Sequence, residues 1–214
     1  SLQAPLWFAL LVAIAFSGLH YIASPFIIEW FHKIEWVAPE TVDPGVASLI
    51  RSVCHECGLN EPRFGIIRDG NPNAFTFGHH PGNARVVVTT GLLEVCDADQ
   101  RRAVIAHEMG HVVHWDFVVM TIAATVPLIL YYIYRFGIRA GRGSRRSGGA
   151  ALLVAIAAFI AYVISQYIVL LLSRVREYYA DHFAAVTTRD PNALATGLVK
   201  IAYGLARSRP PAER

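Results

Sequence analysis

The pentapeptide His107-Glu108-Met109-Gly110-His111 sets two histidines four positions apart, with a glutamate directly after the first. On a helix, residues four apart lie one above the other on one face, so both imidazoles reach the same point. H-E-x-x-H on a helix is the pattern of a zinc site with its general base attached. Two histidine nitrogens hold Zn²⁺ at about 2.0–2.1 Å each. Glu108 falls about 100° round the helix, beside the ion rather than on it. The ion acts as a Lewis acid and lowers the pKa of water toward about 7, and Glu108 takes the proton. One zinc ion per chain is therefore the expected cofactor, with peptide-bond hydrolysis as the chemistry.

A third ligand is needed. The metzincin continuation puts a glycine at position 114 and a histidine at 117. This chain has His114 and Phe117 there, so that class is excluded. The other option is a downstream glutamate, and two follow His111: Glu177 and the penultimate Glu213. Glu177 has the better setting, because two apolar runs lie between it and His111 and carry the chain out and back to the same face. Asp181, four residues on, shares the helical face of Glu177. A carboxylate there can accept the second N–H of a zinc-bound histidine and fix its tautomer.

Other candidates read as structural. His114 shares the face of the two ligands and is expected to pack or meet solvent. His79 and His80 read as loop residues, and His182 points elsewhere on its helix. Cys54 and Cys57 have the C-x-x-C spacing, but a structural zinc needs four ligands and no second pair exists. Three cysteines are too few for a disulfide framework and favour a reducing compartment.

The elements that must position these residues follow from hydropathy. Apolar residues make up 54% of the 214 and charged residues 16%, against about 25% charged in a soluble domain. Residues 5–28, 117–134 and 149–172 are uncharged and near the roughly 20 residues that span a bilayer. Residues 32–115 read as a water-facing domain. In it Val46, Leu49, Ile50, Val53 and Cys57 fall at helical spacing before Gly58. Strands are expected at 63–68 and 85–90, and Asp97 and Gln100 form a capping box that opens the H-E-x-x-H helix. Helix continues over 173–188, Pro191 and Asn192 break it, and an amphipathic helix covers 193–206. The expected architecture is mainly α with a small β-sheet, an α+β zincin-like catalytic domain plus transmembrane helices. Its segments are an N-terminal transmembrane helix at 1–31, the catalytic domain at 32–115, a transmembrane hairpin at 116–173, and at 174–214 the third-ligand helix with a C-terminal amphipathic helix. No basic stripe is interleaved with aromatics, which excludes nucleic acid as a partner. The expected partners are a protein or peptide substrate and the lipid bilayer.

Four blocks match a known family: Asn73-Ala74-Phe75 with Gly78, Val86–Leu93, Ala103–His111 with Asp116 beyond, and Ser173–Asp181. In these the chain resembles the HtpX-like membrane peptidases of the M48 group, relatives of the CAAX-prenyl Ste24 proteases. The resemblance runs from about residue 40 to about 205. It implies Glu177 as third ligand, zinc-dependent endoproteolysis, and membrane-protein quality control. It implies that Asn73, Ala74 and Phe75 contact substrate at the rim of the site. By the same resemblance Val86, Val87 and Val88 form the sheet edge that pairs with substrate backbone, and Arg176 stabilises charge near the metal. A further span upstream of residue 1 and a longer C-terminus are also implied.

Orientation is read two ways. Arg135, Arg139, Arg142, Arg145 and Arg146 lie between the second and third apolar runs, on the side opposite the site. The positive-inside rule puts that loop in the cytoplasm. The resemblance puts the site there instead, and with the cysteine usage it sets the expectation: an integral protein of the inner or plasma membrane, with its active site facing the cytoplasm. Two rival readings remain, a site-specific Ste24-like processing protease and a non-catalytic sensor or scaffold. The intact Glu108 argues against the second.

Overall fold

The computed structural model describes residues 6–143 and 148–208; Arg145, Arg146 and Glu213 lie outside them. In order, the elements are α1 (Leu6–His32), β1 (Glu35–Trp36), α2 (Pro44–Cys57), β2 (Arg63–Ile67), β3 (Ala74–Phe77), β4 (Arg85–Thr89), α3 (Thr90–Val95), α4 (Ala98–Val113), α5 (Asp116–Gly143), α6 (Gly148–Thr188) and α7 (Pro191–Ser208). The chain is mainly helical with one small mixed sheet, as its sequence leads one to expect. It divides into two units, residues 6–24 with 118–175, and residues 25–117 with 176–208.

The first unit holds the apolar lengths of α1, α5 and α6. Helices α5 and α6 are 28 and 41 residues long, and each contains a stretch long and apolar enough to cross a membrane. Gly137 lets them approach closely, since a Cβ there would stand 2.8 Å from that of the fully buried Ala155. Tyr134 on Phe159 and Tyr131 on Tyr162, with ring centroids 5.1 and 5.7 Å apart, extend the seam. On α1, Leu11, Phe16, Leu19 and Ile22 are exposed, a face that water solvates poorly.

The second unit is built on a four-stranded sheet of order β1-β2-β4-β3. Strands β2 and β4 run parallel, with Gly65 opposite Val87, and the outer pairings are antiparallel. Every residue of β4 is buried, with Val86, Val87 and Val88 at 0%, 0% and 1% exposure. Burying each of those valines contributes about 1.5–3 kcal/mol relative to exposure. One sheet face packs Phe64, Val86 and Val88 with α2 and α4, and Leu194 of α7 joins the same core. The other face is a smaller cluster of Ile67, Phe77 and Val87, closed by Ile28, Ile34, Trp36 and Phe75.

The caps are those the residues dictate. Asp43 accepts from the backbone of Gly45 at the start of α2, and Gly58 ends that helix at φ 64°. The expected capping box of Asp97 and Gln100 opens α4. Gln100 Nε2 also donates to Thr196 Oγ1 at 3.0 Å, and Lys200 reaches both Asp97 and Gln100, which docks α7 on the start of α4.

Three sequence expectations need correction. Val86, Val87 and Val88 are not an edge: β4 is paired on both sides, so its backbone groups are already used. The edge beside it is β3, a strand outside those the sequence pattern predicts. The break before α7 falls at Arg189, φ 57°, and Asp190, which caps the helix through Ala193 N at 3.0 Å, so that Pro191 opens α7 instead of interrupting it. The core cysteine of α2 is Cys54, while Cys57 is exposed.

Candidate active site

Helix α4 carries His107, Glu108 and His111, and α6 carries Glu177 and Asp181, all within the second unit. The two helices approach through small residues. A Cβ on Gly110 would lie 3.1 Å from Ala180 Cα and 3.4 Å from Phe183 Cβ. Ala180 and Ala184 are themselves fully buried. A bulkier residue at any of these positions would hold Glu177 away from the histidines.

The metal-ligating atoms of His107, His111 and Glu177 converge. The two Nε2 atoms are 3.2 Å apart, and Glu177 Oε2 lies 3.5 Å from that of His107 and 3.9 Å from that of His111. Bonds of 2.0–2.1 Å to a tetrahedral zinc require donor atoms about 3.3 Å apart. Three donors spaced this way fit one such ion.

The outer nitrogens explain why the inner ones face each other. His111 Nδ1 lies 2.5 Å from Asp116 Oδ2. His107 Nδ1 is buried and lies 2.9 Å from Asp181 Oδ1, with its N–H turned off that line. A carboxylate beside Nδ1 favours the tautomer with its proton there, which leaves the Nε2 lone pair free for a cation. Burial, and then the neighbouring His111, hold the His107 imidazole below its usual pKa, so it stays neutral as a ligand must.

Glu108 points elsewhere, as its place in the helix requires. Burial pushes its carboxyl up to about 7, against the lowering effect of a hydrogen bond from Thr76. Thr76 Oγ1 donates to Glu108 Oε2 at 2.7 Å. A carboxyl titrating near neutrality beside a cluster of metal-type donors is poised to accept and return a proton.

The family model for peptidase family M48 matches residues 40–214. The chain belongs to peptidase family M48. Among curated M48-type relatives it is 38% identical over 205 residues to a Protease HtpX homolog of Methanothermobacter thermautotrophicus, covering 96% of this chain and 76% of that protein. It is 35% identical over 197 residues to Protease HtpX homolog 2 of Methanosarcina acetivorans, covering 91% and 67%. Among solved structures, S. mikatae Ste24p is similar with a TM-score of 0.65 at 21% identity. That likeness is one of fold; it covers 96% of this chain, which spans about half, 54%, of the Ste24p chain.

In this M48 chain the remaining predicted residues fall as follows. Asn73, exposed, directly precedes β3; its N–H donates to Thr89 Oγ1 and its carbonyl accepts from Thr89 N. Ala74 packs against the larger core, and Phe75 against the smaller cluster and the His32 ring. Arg176 is paired with Asp116. Its guanidinium grips the Asp116 carboxylate, and Nη1 donates to the Asp116 carbonyl at 2.8 Å. The two side chains are only 11% and 7% exposed, and the Asp116 carboxylate that Arg176 grips also faces His111 Nδ1. His114 packs as expected, on Gly110 O, Tyr179 and Phe183. His79 and His80 serve their loop: Asn83 holds His79, and His80 caps the turn at Pro81–Asn83.

The sequence reading missed two roles. It quoted Asp116 without assigning it one. Five residues past His111, Asp116 is off the ligand face of a continuous helix, and it returns only because Trp115 takes φ 61° between α4 and α5. Thr76 lies in a segment for which the sequence pattern predicts no element; the small–large alternation of Ala74-Phe75-Thr76-Phe77 is the short signal that could have found it.

Proposed function

We propose that the chain is a zinc-dependent endopeptidase, with His107, His111 and Glu177 as ligands and Glu108 as general base, acting on extended segments of membrane or misfolded proteins. The observation that carries this reading is the spacing of 3.2, 3.5 and 3.9 Å among the three donor atoms. When bound, zinc supplies a Lewis acid and an acidified water. Three protein donors leave a fourth position for water or substrate. Glu108 accepts the proton of the attacking water and returns it to the leaving amine. Asp181 and Asp116 keep each ring proton on Nδ1, and Arg176 fixes Asp116.

Strand β3 is an edge of the sheet and passes beside Glu108. An extended substrate adds to that edge by main-chain pairing, meeting Asn73, Ala74 and Phe75 first. The substrate class is drawn from the likeness to Protease HtpX homologs. With α1 as a further span, the chain is an integral protein of the inner or plasma membrane. The free Cys54, Cys57 and Cys96 support a site that faces the reducing cytoplasm.

Metal removal tests the reading. A chelator abolishes cleavage of an unfolded protein by the detergent-purified chain, and about one equivalent of Zn²⁺ restores it. Undiminished cleavage by metal-stripped protein would sink the proposal. Asp116→Asn retains all three ligands, yet its zinc affinity falls about 10–100-fold in competition against a chromophoric chelator. Its melting temperature falls as well, because Arg176 loses its charge partner. Wild-type affinity in that variant would show that Asp116 does not support His111.

A further inference from the structure

We propose that Thr76 is a positioning residue for the reaction, its hydroxyl holding the Glu108 carboxylate in the orientation from which it serves as base. This rests on the assignment of Glu108 made above. Ala74 and Thr76 occupy one face of β3 and Phe75 and Phe77 the other. Phe75 and Phe77 belong to the small cluster on the far side of the sheet, and Ala74 to the core shared with α4. The register therefore turns Thr76 toward α4 and brings its Oγ1 within 2.7 Å of Glu108 Oε2. A slip of one residue would present a phenylalanine instead.

The hydroxyl has one proton and two acceptors within reach. Glu108 O is 3.4 Å away and Oε2 2.7 Å, and a carboxylate forms the shorter and stronger bond. The proton goes to Oε2, which leaves Oε1 as the oxygen that would accept the proton of the attacking water. A glutamate side chain has three rotatable bonds, and a donor at one oxygen removes most of that freedom. Misplacement of a catalytic group by about 1 Å can cost on the order of 100-fold. The same strand offers its outer edge to substrate, so β3 both receives the peptide and aims the base.

Isosteric substitution separates this role from packing. Thr76→Val keeps the shape and deletes the donor; Thr76→Ser keeps the donor. In the zinc-loaded full chain, Thr76→Val lowers kcat about 10–100-fold, with KM and zinc content unchanged. Thr76→Ser recovers most of the loss. Wild-type kcat in Thr76→Val, or an equal loss in Thr76→Ser, would overturn the proposal. A melting-temperature cycle supplies a readout independent of activity. The Thr76→Val shift seen with Glu108 present disappears in Glu108→Ala if the two groups are coupled, and persists in full if they are not, which also overturns it. Cleavage that survives Glu108→Ala removes Glu108 from catalysis, while the melting cycle still decides the contact.

Discussion

Glu108→Gln retains its zinc and loses about 10²–10⁴-fold in kcat. The substitution keeps the length of the side chain and an oxygen for Thr76 to bond, so the site stays assembled. What disappears is the capacity to accept a proton. In wild type, burial pushes the Glu108 carboxyl up to about 7. The base works only when deprotonated, so activity falls as pH drops below its pKa, approaching tenfold per pH unit. A cation beside the carboxylate favours its charged form and moves that limb lower. The glutamine variant shows no such limb. Zinc content and kcat measured on the same preparations across pH 5–9 test this. A glutamine variant within tenfold of wild type would remove Glu108 from the role.

Glu177→Ala has the opposite signature: the fold stays and the metal goes. The Glu177 side chain is 60% exposed, so truncating it changes stability by about 0.5 kcal/mol or less. The site, however, falls from three donors to two. Loss of an outer partner costs about 10–100-fold in metal affinity, and loss of a direct donor costs more than that. Equilibrium dialysis against buffered Zn²⁺, with circular dichroism as the control, gives both numbers. Zinc held as tightly as in wild type would transfer the third-ligand role elsewhere.

Comparing sequence with structure separates what local pattern encodes from what packing adds. The H-E-x-x-H helix was legible because four-residue spacing and a capping box are local. The place of Glu177 beside the two histidines was legible because only two glutamates follow His111. The sheet was read less well. Arg85–Thr89 holds three successive valines, the mark of a strand buried on both faces, and so it lies inside the sheet where the resemblance had suggested an edge. Strand β3 is four residues long, so its alternation covers only two periods and is weak beside the turn that precedes it. Arg176 and Asp116 were visible as residues but not as a pair. Their contact depends on one left-handed residue, Trp115, and on the close seam of Gly110 and Ala180. No pattern within a window of sequence contains either.

The wide separation of the site's halves along the chain has a consequence for biosynthesis. Asp116 and Arg176 are 60 residues apart, and the proposed third ligand follows Arg176 directly. A ribosome adding 5–20 residues per second takes about 3–12 s to cover that interval. During that time the nascent polypeptide has its base and two histidines but not its carboxylate ligand. The apolar lengths of α5 and α6 must also be made first, so on the proposed ligand set a growing chain completes its three donors only after both have been synthesised.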